Sequence, residues 1–410
     1  MNKNQRKIDV EELVKGLDIT PTMYQNAIEK YHNVGKYLQD NGMNVDIFPQ
    51  GSFCLGTVVR PYKNGEDKSY DLDFICVNNV NKSGTSPKIE KYLPHDILIQ
   101  NEIYKNLLSD KEYDKCWTLE YAKVSDVDFN MDIVPAIPEG RNEIYELQLQ
   151  GLEIEYTNNV IAITNKNNNS YNWVTSNPKA YKEWFDKINA PFLEFNRQER
   201  KNRIYNENRN LFASIEEIPK DIERSSLQRV IQILKRHRDV YFSKRNKEND
   251  KPISAIITTI SAKIARGAYE DLGIVELLQY IVNEFQIYSK KQNMEHILFE
   301  YTYGQRNVIN FNNGKWEIKN PVNPKDNLAD SWNNKENPER AKLFFEWTKQ
   351  LKNDFIDAFD LKDDEFFASL ENGFGSNYVQ RKISKSKYNV KNPIPIGITS
   401  THKHWRNCEK

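Results

Sequence analysis

Two aspartates in Ser69-Tyr-Asp-Leu-Asp-Phe-Ile-Cys-Val77 carry the clearest chemical signal in the chain. On a strand, residues i and i+2 share a face. Asp71 and Asp73 therefore stand side by side, while Leu72, Phe74 and Cys76 point to the apolar side. Two carboxylates held together repel unless a cation lies between them, and oxygen donors of this kind suit Mg²⁺. Upstream, Gly51 lets the backbone approach a phosphate closely, and Ser52 adds a hydroxyl and an N–H. A helix beginning at Phe53 would turn its positive end toward the same anion. Downstream, Val127, Phe129, Met131 and Ile133 alternate with Asp128, Asn130 and Asp132. Asp126, Asp128 and Asp132 share the polar face of that segment, and each is a candidate third acid. Asp132 is preferred for its apolar Met-Asp-Ile-Val-Pro setting. Three converging carboxylates could hold two divalent ions, which in two-metal sites lie ~3.5–4 Å apart. Nucleotidyl transfer is mostly positioning and charge stabilisation, so it needs no covalent nucleophile.

The elements that must position these groups follow from periodicity. Thr20 and Pro21 open a helix over 20–41, and Val45–Pro49 is a short strand delivering Gly51-Ser52. Val58–Arg60 continues toward the sheet, and 64–67 is a turn. Further strands are expected at 117–122, 124–135 and 160–164, a helix over 97–108, and a polar turn at 165–172. A loop then leads into an aromatic-rich helix around Tyr181, Trp184 and Phe185. Beyond about residue 200 the texture becomes helical, over 222–243, 253–268, 274–290 and 336–359, with a short hairpin at 307–319. The expectation is an α+β first lobe (residues 1–205), a mainly helical second lobe (206–382) and an extended basic tail (383–410). The helix over 20–41 is expected to pack across both lobes.

Composition narrows the function. Lys+Arg and Asp+Glu balance at 58 each, which argues against an obligate long nucleic-acid partner, because such a grip needs a basic excess. A local patch such as Arg197–Arg209 stays open. No apolar run reaches membrane-spanning length and the N-terminus lacks an apolar signal core, so a cytoplasmic protein without a membrane partner is expected. The four cysteines are scattered without metal-ligand spacing and read as free thiols.

Gly51-Ser52, Asp71-Leu-Asp73-Phe and Met131-Asp132-Ile133-Val134 resemble the signature of the DNA-polymerase-β-like nucleotidyltransferases, with Lys63–Ser69 as an insertion. Three further stretches resemble the bacterial cGAS/DncV-like nucleotidyltransferases (CD-NTases): 51–61, Leu227-Gln-Arg-Val-Ile-Gln-Ile-Leu-Lys-Arg-His-Arg-Asp239, and 320–332. The resemblance covers most of residues 20–380. It implies a mixed twisted sheet flanked by helices, a helical lobe beside it, and an active site in the cleft between them. It also implies joining of ribonucleoside triphosphates into a cyclic di- or trinucleotide second messenger, often in anti-phage (CBASS) systems, where the product binds a downstream effector. Residue by residue, Gly51 and Ser52 would hold the donor triphosphate, and Asp71, Asp73 and Asp132 two Mg²⁺ ions, with Mn²⁺ as an alternative. Lys235 matches a lysine that reaches the triphosphate, and Ser254 a phosphate-contacting serine. For Lys235 the competing reading is a solvated helix face, and for Ser254 a plain helix cap. Trp332 reads as core packing and His237 as a helix-surface residue. A monomer is expected. The rival functions are linear oligonucleotide synthesis, single-nucleotide transfer to an RNA, small molecule or protein, and a non-catalytic nucleotide-binding partner.

Overall fold

The computed structural model describes residues 2–121, 129–207, 223–335 and 338–388; the side chains of Tyr70 and of 198–207 fall outside that description. In chain order come α1 (Lys3–Lys15), α2 (Pro21–Asp40), β1 (Val45–Pro49), α3 (Gly51–Cys54), β2 (Tyr62–Lys63), β3 (Glu66–Asp67) and β4 (Tyr70–Asn78). They are followed by α4 (Pro87–Leu98), α5 (Glu102–Leu107), β5 (Trp117–Leu119), β6 (Phe129–Pro138), α6 (Arg141–Leu149), β7 (Ile161–Asn167) and β8 (Ser170–Ser176). The helical part holds α7 (Pro178–Glu207), α8 (Ser226–Ser243), α9 (Ser254–Ala265), α10 (Ile274–Tyr288) and α11 (His296–Tyr303). Two small hairpins, β9 (Asn310–Asn312) with β10 (Lys315–Glu317) and β11 (Lys319–Asn320) with β12 (Asn323–Asn327), precede α12 (Arg340–Phe355), α13 (Asp363–Phe374) and α14 (Ser376–Lys382).

The main sheet runs β1-β4-β6-β7-β8. Only its β4–β6 pair is parallel among the described pairings, and β5 and β7 share one edge of β6, at Met131–Ile133 and at Ala136–Pro138. Both faces of β4 are covered past the acids. Leu72, Phe74 and Cys76 pack with α2, while Ile75 and Val77 pack with Val134, Ala136, Ile161 and Ile163. A strand buried on both sides reads as a continuous apolar run, which is why Phe74-Ile-Cys-Val77 is hydrophobic without alternation.

Several expectations change. The helix over 20–41 is observed with its Thr20 cap, but it packs on the sheet. It is α1, not anticipated, that packs among the helices. The buried Arg6 of α1 donates to the carbonyls of Ala358, Phe359 and Leu361, and its buried Asp9 accepts from the Tyr388 hydroxyl. The chain after Lys382 is therefore anchored, not loose, at least through the buried Ile383 and Tyr388; residues 389–410 lie outside the described part. The helix expected over 97–108 is two helices. Ser86 caps the first and Asn101 the second. The expected turn at 165–172 is the tip of the β7–β8 hairpin. The turn at 64–67 is a small hairpin too, with Asn64 and Gly65 at positive φ, as a two-residue connection requires. The strand expected over 124–135 is described only from Phe129, and the candidate acids Asp126 and Asp128 fall outside the described residues, as do most side chains of the Arg197–Arg209 patch.

Candidate active site

Parallel pairing of β4 with β6 sets Asp73 opposite Asp132 and Asp71 opposite Asn130. The acids from two distant stretches are thus direct neighbours across one ladder, at the end of the sheet where the β1–α3 turn arrives. Gln50 N–H donates to the Asp73 carbonyl at 2.9 Å, closing the turn onto β4. Gly51 has φ +63°, and a Cβ there would lie 2.8 Å from Asp73 Oδ2. Both facts demand glycine. The helix expected from Phe53 starts at Gly51 and is only the single turn α3, so it offers local N–H donors and little macrodipole.

Electrostatically the carboxylates crowd one another. Burial first, then the Asp132 and Asp71 carboxylates, push Asp73 up to about 7, with Lys235 pulling it down. Asp132 is raised mainly by burial, against a hydrogen bond donated by the Thr118 hydroxyl. Asp71 reaches solvent, yet the surrounding protein still raises it, eased by Asn130 Nδ2 at 3.5 Å. Crowded carboxylates forced toward their protonated forms are what a bound divalent ion would reverse. As placed, no three His, Cys, Asp or Glu side chains among the described residues could hold a metal by themselves.

Thr118, which the sequence reading passed over, sits directly opposite Asp132 in the β5–β6 ladder. Its signal was a lone hydroxyl between Trp117 and Leu119 on a strand.

The segment after α3 does not join the sheet as expected for Val58–Arg60. Its carbonyls are instead taken by one stripe of α8. Gln228 Nε2 donates to Leu55 O at 2.8 Å, Gln232 Nε2 to Val58 O at 2.9 Å, and Arg236 Nη1 to Arg60 O at 3.4 Å. Lys235 Nζ donates to the Thr57 carbonyl at 3.3 Å and its hydroxyl at 3.0 Å. Positions 228, 232, 235 and 236 fall on one helical face, so a single helix clamps the chain leaving Gly51-Ser52. Lys235 is 3% exposed, not on a solvated face. Burial and Arg238 push its ammonium down to about 7, opposed by Asp239 and Asp73.

Ser254 is exposed at the first turn of α9, where Ile253 occupies the cap position, so it is not a plain cap. Its hydroxyl accepts from Arg238 Nη1 at 3.1 Å. His237 is buried rather than on the surface. Trp347 Nε1 donates to its Nδ1 at 2.9 Å, which leaves Nε2–H to donate to Asp354 at 3.0 Å. Both ring nitrogens are committed to structure. Trp332 is core, packed against Trp316 and Phe344. The stretch 323–327 is a strand that ties the helices to the sheet, with Asn323 Nδ2 donating to Thr175 O at 3.0 Å. No helix of the described residues is long and apolar enough to cross a membrane.

The fold is that of a polymerase-β-like nucleotidyltransferase: a mixed sheet with its acids on adjacent strands, a Gly-Ser turn against them, and a helical body alongside. No family model matches the chain. A c-di-GMP synthase of Roseivirga ehrenbergii is 28% identical over 411 residues, 97% of this chain and 92% of that protein. The CD-NTase CdnG of Bradyrhizobium diazoefficiens, solved with GTP, superposes with a TM-score of 0.64 at 19% identity, covering 94% of this chain and 100% of that one. The GTP-bound form of Vibrio cholerae DncV matches at a TM-score of 0.52 and 14% identity, over 94% and 88% of the two chains. At such identities the solved structures speak for the fold. With the relative that spans nearly the whole of both chains, they bear out the resemblance to the cGAS/DncV-like nucleotidyltransferases and the reading of the chain as an enzyme.

Proposed function

We propose that the protein is a divalent-metal-dependent synthase that joins ribonucleoside triphosphates into a cyclic di- or trinucleotide second messenger, acting in anti-phage defence through an effector that binds the product. The single observation that carries this reading is the in-register pair Asp73 and Asp132 with Gly51 packed on Asp73. The name of the Roseivirga relative makes c-di-GMP the first product to look for.

In this reading Gly51 and Ser52 receive the donor triphosphate, because only a residue without Cβ leaves room between the turn and Asp73. Asp71, Asp73 and Asp132 would hold the divalent ions, which when bound neutralise the triphosphate and lower the pKa of the attacking ribose hydroxyl. Thr118 fixes the Asp132 carboxylate by its hydrogen bond. Lys235, whose ammonium burial pushes down to about 7, is held charged beside a triphosphate, since an adjacent anion favours its protonated form. Ser254 is assigned a phosphate contact next to Arg238.

Incubation with the four ribonucleoside triphosphates and Mg²⁺ or Mn²⁺, followed by phosphatase, tests the proposal. A cyclic product has no terminal phosphate and survives. Linear oligomers that lose their terminal phosphates, with no resistant species beside them, would instead establish linear synthesis.

A further inference from the structure

On the outer side of the segment clamped by α8, an open groove lies between the β2–β3 hairpin, the Gly16–Asp18 linker and α14. It comprises two adjoining cavities of about 650 and 390 Å³ that share Arg60, Asp67, Arg236, Tyr378 and Arg381, with Lys382 lining the smaller one. Arg236 has a side-chain exposure of 0%. Its Nε donates to Phe374 O at 2.8 Å and its Nη1 to Asp67 Oδ1 at 2.5 Å. The rings of Tyr62 and Tyr378 flank the guanidinium at 4.7 and 5.3 Å. Its Nη2, however, is buried without a hydrogen-bond partner among the described residues. A guanidinium presents its donors as a rigid fork matched to oxyanions, and a buried donor left without an acceptor is costly.

The charges lining the groove show what is missing. Asp67 is already shared by Arg236 and Arg381, Asp18 is paired with Arg229 at 2.7 Å, and Glu66 with Lys68 at 3.1 Å. Every lining carboxylate has its cation. Arg381, 69% exposed, meets Asp67 only at 3.6 Å, and Lys382 has no ion pair among the described residues. The surplus is cationic, converges on one cavity, and includes a buried donor.

We propose that this groove is a second anion site, separate from the acid cluster, which takes a small phosphate-bearing molecule through Arg236, Arg381 and Lys382. Tyr62 and Tyr378 are spent on Arg236 and buried, so recognition is of the phosphate group rather than of an aromatic ring. Because Arg236 also holds the Arg60 carbonyl, at the end of the segment leaving Gly51-Ser52, occupancy bears on the turn at the active site.

Calorimetric titration with sodium pyrophosphate in magnesium-free buffer tests this, with inorganic phosphate and GTP as parallel arms to distinguish a bare phosphate requirement from a nucleotide one. Expected is one saturable site that weakens roughly tenfold or more when two charge-assisted contacts are reversed in Arg381→Glu with Lys382→Glu. The milder Arg381→Gln should weaken it partially. Pyrophosphate binding at this site should persist in Lys235→Met, because Lys235 bonds Thr57 and lines neither cavity. Absence of saturable binding at millimolar concentrations of all three probes, equal affinity in the charge-reversed protein, or loss confined to Lys235→Met would each overturn the proposal. Both reversed residues are exposed on a terminal helix, and matched melting curves confirm that the fold is unchanged.

Discussion

Replacing Gly51 by alanine is the sharpest single-atom perturbation this site allows. The new Cβ would stand 2.8 Å from Asp73 Oδ2, where ordinary contacts begin at 3.4 Å. Turn or carboxylate must therefore move by roughly 0.6 Å, and misplacement near 1 Å at a reacting centre can cost ~100-fold. The expected loss in kcat is about ten- to a hundredfold. Separately, alanine at φ +63° carries a backbone penalty of about 1–2 kcal/mol. Gly42→Ala separates the two effects. Gly42 has φ +95° and nothing within 4 Å of its would-be Cβ, so that variant should lose comparable stability at unchanged kcat. The assay is the initial rate of product formation at saturating nucleotide, with urea denaturation run beside it. If Gly51→Ala loses stability like Gly42→Ala but keeps its kcat, the packing of the turn on Asp73 has no catalytic meaning and the reasoning fails.

Other expectations concern the same cluster. Asp73 in the metal-free protein has its folded pKa raised from an ordinary carboxylate value to about 7. The folded state thus binds the extra proton, and stability falls as pH rises through the window from about 4 to 7. Melting in EDTA at pH 5 and pH 8 should show this decline, reduced in Asp73→Asn; an equal decline in both proteins refutes it. Thr118→Val removes the hydroxyl that holds Asp132 at nearly constant volume. It should lower kcat by roughly tenfold, the worth of one charged hydrogen bond, and raise the Mg²⁺ concentration needed for half-maximal rate. Thr118→Ser should restore both, and a wild-type metal titration for Thr118→Val speaks against the role. Lys235→Met keeps a buried, unbranched side chain but loses the ammonium. It should raise KM for the donor nucleotide or lower kcat, by about tenfold or more in kcat/KM, with the melting temperature preserved; unchanged kcat/KM removes Lys235 from the site.

What the sequence made legible was local. The limits of β1 follow from a short apolar run between Asn44 and Gln50, and the Thr20-Pro21 cap marks α2 because capping is a two-residue signal. The acids were readable because strand alternation fixes faces without knowledge of the partner strand. What stayed hidden depends on distant partners. Val58-Val59-Arg60 has the residues of a strand, but its carbonyls go to Gln232 and Arg236, over 170 residues away. The Lys235-Arg236-His237-Arg238 run looks like a solvated face, yet each side chain meets a partner from elsewhere: Thr57, Phe374, Asp354 and Pro252. The helix α1 was not legible for the same reason, since its Arg6 and Asp9 are bonded to chain some 350 residues further on.

In the proposed reaction Asp73 and Asp132 act as one unit across β4 and β6. Asp73→Asn and Asp132→Asn, each folded as the parent by its melting curve, should both abolish the phosphatase-resistant nucleotide product detected by mass spectrometry. Wild-type yield from either variant would contradict it.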